Sequence, residues 1–367
     1  MRRIDFVFFD AGGGHRAAAT ALQLAIQQSG QPWDVRLMNL QEVLDRMDIF
    51  RQITRIRMQD VYNLLLRKGW TLGSEYMVPP MHLIIRLFHS KMRRMLTEYW
   101  KKDPPDLLVS VVPNFNRVLL ESYRRAKPNG PMVTILTDIA DYPPDFWIER
   151  QDQFFICGSD RAVEQAREAG HSSSKIFQVS GMILHPKFYQ PVEFDRSALG
   201  LDPNRPTGLV LFGGYGSAKM KVIARRIAEA KANVQLIFIC GKNAKLKQQL
   251  TAMSLPYPHY IEGFTSEIPR YMAAADFFIG KPGPGSISEA LQMKLPVIVE
   301  RNAWTLPQER YNADWVLEKD VGVVLKDFDN IGEVIRELPL ARLRENAAKI
   351  HNRAVFEIPN ILEKLLP

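Results

Sequence analysis

The chain has 367 residues, a net charge of +8, 46% hydrophobic and 24% charged side chains, and two cysteines, Cys157 and Cys240. That length suggests two domains rather than one, and two cysteines inside apolar runs exclude a disulfide framework and point to a reducing compartment. No apolar run approaches the ~20 residues that cross a bilayer, and the basic excess calls for an anionic partner: a phosphorylated substrate, an anionic membrane surface or nucleic acid.

The start, Met1-Arg2-Arg3-Ile4-Asp5, leads directly into a strand over 4–9, and Asp5 leaves the apolar run too brief for a signal peptide. The strand meets Asp10-Ala11-Gly12-Gly13-Gly14-His15-Arg16-Ala17 and then an alanine-rich helix to residue 28. This reads as the opening βα unit of a doubly wound sheet, with its glycine turn at the carboxyl end of the strand, where ligands of open α/β sheets bind. The spacing Gly12-x-Gly14-x-x-Ala17 loosely fits a dinucleotide fingerprint. The next strand, 35–40, ends near Asn39 without the acidic residue such a site carries, which disfavours a nicotinamide cofactor.

Residues 42–102 break the βα rhythm with a helical stretch rich in Met, Arg and aromatics. After Pro79-Pro80 it carries Arg86, Arg93, Arg94, Trp100, Lys101 and Lys102, with Glu98 the only acid from 81 to 102. A basic amphipathic segment with aromatics suits an interfacial membrane contact. The alternative is a pair of core-packed helices with solvated basic faces. The usual nucleic-acid recognition modules are absent, so no nucleic-acid partner is expected.

The alternation then resumes with strands over 107–112, 132–136, 153–157 and 176–179, the second running into Thr137-Asp138. Residues 181–206 lack periodicity and hold Pro186, Pro191, Pro203 and Pro206, so they read as a linker between a domain at 1–180 and a second at 207–350. Residues 351–367 read as a helix near the domain junction. The second domain opens with a strand over 207–212, the turn Gly213-Gly214-Tyr215-Gly216-Ser217 and a basic helix. Strands over 234–240 and 259–261 follow, then Glu262-Gly263-Phe264 and a short helix over 266–274 capped by Ser266.

Phe278-Ile279-Gly280-Lys281-Pro282-Gly283-Pro284-Gly285-Ser286 reads as strand, Gly/Pro loop and helix start. Gly283 and Gly285 would permit positive φ, Ser286 would cap the helix, and its free N–H groups would attract phosphate. Glu289, one turn in, can accept hydrogen bonds from sugar hydroxyls. Together these features read as half of a nucleotide-sugar site. A strand over 295–300, a helix from Pro307-Gln308-Glu309 through Asn312, and two further helical segments complete the chain.

The expected fold is α/β: two Rossmann-like doubly wound domains facing a central cleft. The motifs Gly12–Ala17, Thr137-Asp138, Glu262-Gly263-Phe264, Lys281–Ser286 with Glu289, and Pro307-Gln308-Glu309 with Asn312 resemble GT-B glycosyltransferases of the monogalactosyldiacylglycerol synthase and diacylglycerol glucosyltransferase type, related to MurG. The resemblance covers nearly the whole chain. It implies an inverting transfer of galactose or glucose from a UDP-sugar to a lipid, diacylglycerol above all, at the cytoplasmic face of a membrane. Neither a metal nor another cofactor is expected, and no Asp-x-Asp metal motif is evident. The alternatives are a UDP-GlcNAc-type transferase with another acceptor, or a nucleotide-sugar epimerase of the same architecture.

By the same resemblance, the backbone near Phe264 would hold uracil and Glu289 the ribose. Gly14, Gly214, Gly216, Ser217, Gly283, Pro284, Gly285 and Ser286 would line the donor, mostly at its diphosphate. Gln308 and Glu309, with Asn312, would reach the hexose. His15 is the expected general base, since imidazole takes a proton near neutral pH, and Asp138 would orient it. Val112-Pro113-Asn114 and Tyr142-Pro143-Pro144-Asp145 depart from the family, which tends to carry a histidine at each place; both lie on the acceptor side.

Overall fold

The computed structural model describes residues 1–10, 13–45 and 78–367. The basic and aromatic positions expected over 51–70 lie outside the described residues, as does Gly12. The chain divides into two compact units. One holds 1–186, 306–308 and 352–367; the other holds 187–305 and 309–351.

In the first unit the order is β1 (Arg2–Phe8), α1 (Gly14–Gln28), β2 (Trp33–Asn39), α2 (Leu40–Asp45), α3 (Val78–Lys102), β3 (Leu107–Ser110), α4 (Asn116–Ala126), β4 (Met132–Ile135), β5 (Phe154–Cys157), α5 (Asp160–Glu168) and β6 (Ile176–Gln178). The strands form one six-stranded sheet in the order β2-β1-β3-β4-β5-β6, with every pair parallel. Strand order therefore reverses between β1 and β3, and the turn holding Gly13, Gly14 and His15 leaves β1 at that switch point.

The second unit continues with β7 (Thr207–Leu211), α6 (Lys219–Glu229), β8 (Gln235–Ile239), α7 (Ala244–Thr251), β9 (His259–Glu262), α8 (Ile268–Ala273), β10 (Phe277–Gly280), α9 (Pro284–Gln292), β11 (Val297–Glu300), α10 (Pro307–Glu318), β12 (Gly322–Leu325), α11 (Ile331–Arg336) and α12 (Leu340–Lys349). Its sheet runs β12-β11-β10-β7-β8-β9, again parallel throughout. The order reverses between β7 and β10, the two strands that feed the two glycine turns. Both faces are covered, so β7, β8, β10 and β11 are buried along their whole length. Val210, Leu236, Phe238 and Ile279 point to the α6 side, and Leu209, Leu211, Ile237 and Phe278 to the α9 side, as the two-residue period of a strand requires. A last helix, α13 (Ala354–Leu365), belongs to the first unit and packs on α1.

Several expectations need correction. Residues 187–206 are not a bare linker: Phe188 and Leu201 are buried in the second unit's core, and Arg196 pairs with Asp276 at 2.8 Å. Ser266 lies outside α8, whose first flanking residue is Glu267. The short strand β12 adds to what the sequence showed: Gly322-Val323-Val324-Leu325 pairs with β11.

Along α3, Met92, Leu96 and Trp100 recur at helical spacing and are buried, and the helix packs on α4. Trp100 is fully buried and its indole Nε1 donates to Asp5 Oδ2 at 3.2 Å, so it is a core residue and not an interfacial aromatic. Asp5 also holds Arg36 at 2.6 Å, and burial raises its pKa against the pull of that guanidinium. Arg93 is turned inward to Glu121 on α4 at 3.0 Å, beside His89 at 2.9 Å from the same carboxylate. Lys101 pairs with Glu98. Arg86, Arg94 and Lys102 remain exposed, with Lys91 and Leu87, the latter 71% exposed. Among the described residues no helix is long and apolar enough to cross a membrane.

Candidate active site

In the second unit the turn after β7 is built backbone on backbone. Gly216 takes φ +61°, and a Cβ there would fall 2.7 Å from the Cys240 carbonyl oxygen, so no other residue fits without a shift. The Gly214 carbonyl accepts the Lys242 N–H at 2.8 Å. Ser217 Oγ accepts the Lys219 N–H at 3.3 Å, just ahead of α6, whose N-cap is Ala218. Lys219 in turn reaches buried Glu300 at the tip of β11.

At the end of β10 the helix starts earlier than expected. Gly283 is the extended N-cap of α9 and Pro284 fills the first helical position, where a fixed φ is pre-organised and no N–H is needed. Ser286 therefore lies inside the first turn and is not the cap, and neither Gly283 nor Gly285 adopts positive φ. Because the Ile287 N–H already bonds the Gly283 carbonyl at 3.0 Å, the N–H groups of Gly285 and Ser286 are the ones without intrahelical partners. A Cβ on Gly285 would meet nothing within 4 Å, so the space beside this residue is open.

Glu289 keeps part of its surface open, and among the described residues no donor bonds its carboxylate. Burial pushes its pKa up to about 7, against the pull of Lys187. A carboxylate so placed lacks hydrogen-bond donors and gains from hydroxyls brought by a ligand.

The start of α10 behaves differently from expectation. Glu309 is 7% exposed and its Oε1 lies 2.6 Å from Lys281 Nζ. Asn312 is fully buried; its Nδ2 donates to the Pro282 carbonyl at 2.8 Å, and its Oδ1 has no partner among the described residues. Both side chains thus grip the Lys281–Gly283 loop. Gln308 is half-buried and, among the described residues, makes no hydrogen bond.

Past β9, Phe264 is 64% exposed, with Lys242 Nζ 5.2 Å from its ring centroid, so it is no core aromatic. Glu262 fixes this corner. Its Oε1 accepts from the Gly263 N–H at 2.7 Å and Lys247 Nζ at 3.2 Å, and its Oε2 from the hydroxyls of Tyr260 at 3.1 Å and Tyr271 at 3.0 Å. Burial alone would raise the Glu262 pKa, but these four donors hold it down to about 2.

In the first unit Gly13, at φ +83°, precedes α1, and Gly14 and His15 open the helix. His15 Nδ1 lies 3.1 Å from Thr137 Oγ1, and its ring centre is 5.7 Å from that of Trp147. Burial drives the imidazole pKa down to about 4, with the Val111 carbonyl pulling slightly upward, so the ring is neutral at pH 7. Asp138 bonds the Trp147 indole Nε1 at 2.9 Å, and Asp141 accepts the Trp147 N–H at 2.6 Å, its own pKa pushed by burial to about 6. Asp138 is thus tied to the indole that flanks His15, and Thr137 Oγ1 contacts the imidazole directly. Trp147 was not picked out from the sequence, and Thr137 and Lys281 stood in motifs there without a role of their own. Lys281, at the tip of β10 before two glycines, carried the one legible signal.

A family model for the glycosyltransferase family 28 C-terminal domain matches residues 209–365, and one for monogalactosyldiacylglycerol synthase matches 15–182. The crystal structure of Acinetobacter baumannii MurG superposes with a TM-score of 0.62 at 12% identity, covering 99% of this chain and 100% of that one. The fold is GT-B and the protein is a glycosyltransferase. In sequence it is 30% identical to the monogalactosyldiacylglycerol synthase of Spinacia oleracea, over 100% of this chain and 73% of the relative. It is 28% identical to monogalactosyldiacylglycerol synthase 1 of Arabidopsis thaliana, over 100% and 71%. The chain belongs to the monogalactosyldiacylglycerol synthase family.

Proposed function

We propose that the protein moves a hexose, galactose or glucose, from its UDP-sugar to diacylglycerol with inversion, giving a β-glycosyl lipid. The observation that carries the donor half is Glu289: a carboxylate without hydrogen-bond donors among the described residues, one turn into the helix that leaves the switch point of the second sheet. The ribose hydroxyls supply the donors it lacks. The N–H groups of Gly285 and Ser286 and the turn at Gly214–Ser217 receive the diphosphate. As UDP departs, its growing charge is held by these fixed dipoles, so no divalent cation is required. The acceptor hydroxyl loses its proton to neutral His15 as it attacks the anomeric carbon. The names of the two plant relatives support the lipid acceptor.

The expected result is release of UDP from UDP-galactose or UDP-glucose by the purified protein only when diacylglycerol is supplied, with the glycolipid product identified by mass spectrometry. Donor hydrolysis or epimerisation without acceptor would favour the epimerase reading instead.

We place the protein peripherally at the cytoplasmic face of an anionic membrane, approached through the outer side of α3, where Arg86, Lys91, Arg94 and Lys102 are exposed beside Leu87. Each basic group near anionic lipid adds ~1 kcal/mol. Replacing these four by glutamine should weaken binding to phosphatidylglycerol vesicles and flatten its salt dependence. Unchanged vesicle binding refutes α3 as the contact.

A further inference from the structure

Lys281 lies between the two glycine turns. A Cβ on Gly283 would sit 3.4 Å from Lys281 Cε and 3.7 Å from its Nζ, and a Cβ on Gly213 would sit 3.9 Å from the same Cε. The ammonium therefore stands where the two strand tips of the switch point converge, partnered by Glu309 at 2.6 Å. Glu309 is buried while Lys281 is partly exposed. Building on the donor reading above, we infer that Lys281 changes partner during catalysis: it leaves the Glu309 carboxylate for the diphosphate of the incoming UDP-hexose, and Glu309 then accepts hydroxyls of the hexose.

Two physical constraints link these events. A diphosphate offers the ammonium more negative charge than one carboxylate does. A buried carboxylate stripped of its cation is costly unless other donors replace it. UDP alone exacts that cost; UDP-hexose relieves it, because the sugar hydroxyls arrive with the phosphates. The exchange thus makes the site distinguish a loaded donor from the spent nucleotide, and it favours release of UDP after transfer, when Glu309 reclaims Lys281.

The test is calorimetric titration of the whole protein with uridine, UDP and UDP-glucose or UDP-galactose. Lys281→Met should weaken UDP binding at least tenfold and leave uridine binding unchanged, whereas Lys281→Arg should keep UDP affinity within a few-fold. Glu309→Gln should bind UDP several-fold tighter than the wild type and lose the preference for UDP-hexose over UDP. Wild-type affinity for UDP in Lys281→Met overturns the exchange, as does a loss in Lys281→Arg equal to that in Lys281→Met. A Glu309→Gln protein that loses UDP as Lys281→Met does also overturns it, since Glu309 would then only hold the lysine in place. If the wild-type chain binds uridine and UDP not at all, the donor reading falls and the exchange with it.

Discussion

His15→Ala is expected to lower turnover by about a hundred- to ten-thousandfold, the contribution of a positioned general base, while UDP binding stays at the wild-type level. The distinction follows from where the residue lies. His15 opens α1 in the first unit, against Thr137 and Trp147, whereas the glycine turns of the donor reading belong to the second unit. Its pH behaviour adds a sharper test. A free imidazole would impose an acid limb near pH 6.5. Burial has moved this one to about 4, so the ring is already neutral across pH 5–8 and imposes no limb there. The low value also makes it a weaker proton acceptor than an unperturbed histidine, so catalysis relies on positioning of the acceptor hydroxyl as much as on basicity. Full activity in His15→Ala would refute the assignment; an acid limb near 6.5 that vanishes with the histidine would contradict the lowered pKa while keeping His15 as the base.

The second large effect is expected at Glu289. Hydrogen bonds to a charged group contribute about 1.5–3 kcal/mol, so Glu289→Gln should weaken UDP by about ten- to a hundredfold by the same measure. The sign of its pH dependence is fixed by linkage. In the free protein the carboxyl titrates at about 7; hydroxyl donors in the complex stabilise its charged form and lower that value. UDP affinity is then fully developed above pH 7 and declines as pH falls through 7. The terminal phosphate of UDP titrates near ~6, as phosphate monoesters do, so the comparison with Glu289→Gln isolates the carboxylate: the variant should lose the part of the pH dependence centred near 7. Equal pH profiles in the two proteins would remove Glu289 from the ribose.

The alternating pattern of apolar runs and glycine turns made both parallel sheets legible, because strands buried on two faces leave continuous hydrophobic runs. β12 escaped because Gly322-Val323-Val324-Leu325 is four residues long and sits between helices, too short for a period to declare itself. The helix start at Pro284 was misread for a local reason. Ser286 has the chemistry of a cap, but a proline at the first helical position outranks it. Trp100 shows a deeper limit. In sequence it sits among Lys101, Lys102 and Arg94, which is how an interfacial aromatic looks. Only the fold brings it to Asp5, 95 positions away. The same holds for Glu309, whose partner Lys281 is 28 residues distant. Sequence spacing marks which residues crowd a strand tip; it does not say which of them face the ligand and which face each other.

Glu262 bears on how such a site changes over generations. An ionised carboxylate has about four acceptor positions, and the Gly263 amide, Lys247 and two tyrosine hydroxyls occupy that many. None is left over for a nucleobase. On the donor reading, the backbone near Phe264 takes the base, and main-chain N–H and C=O groups survive every codon change except one to proline. Drift in this lineage should then retune the sugar, whose contacts are side chains, far more readily than the base.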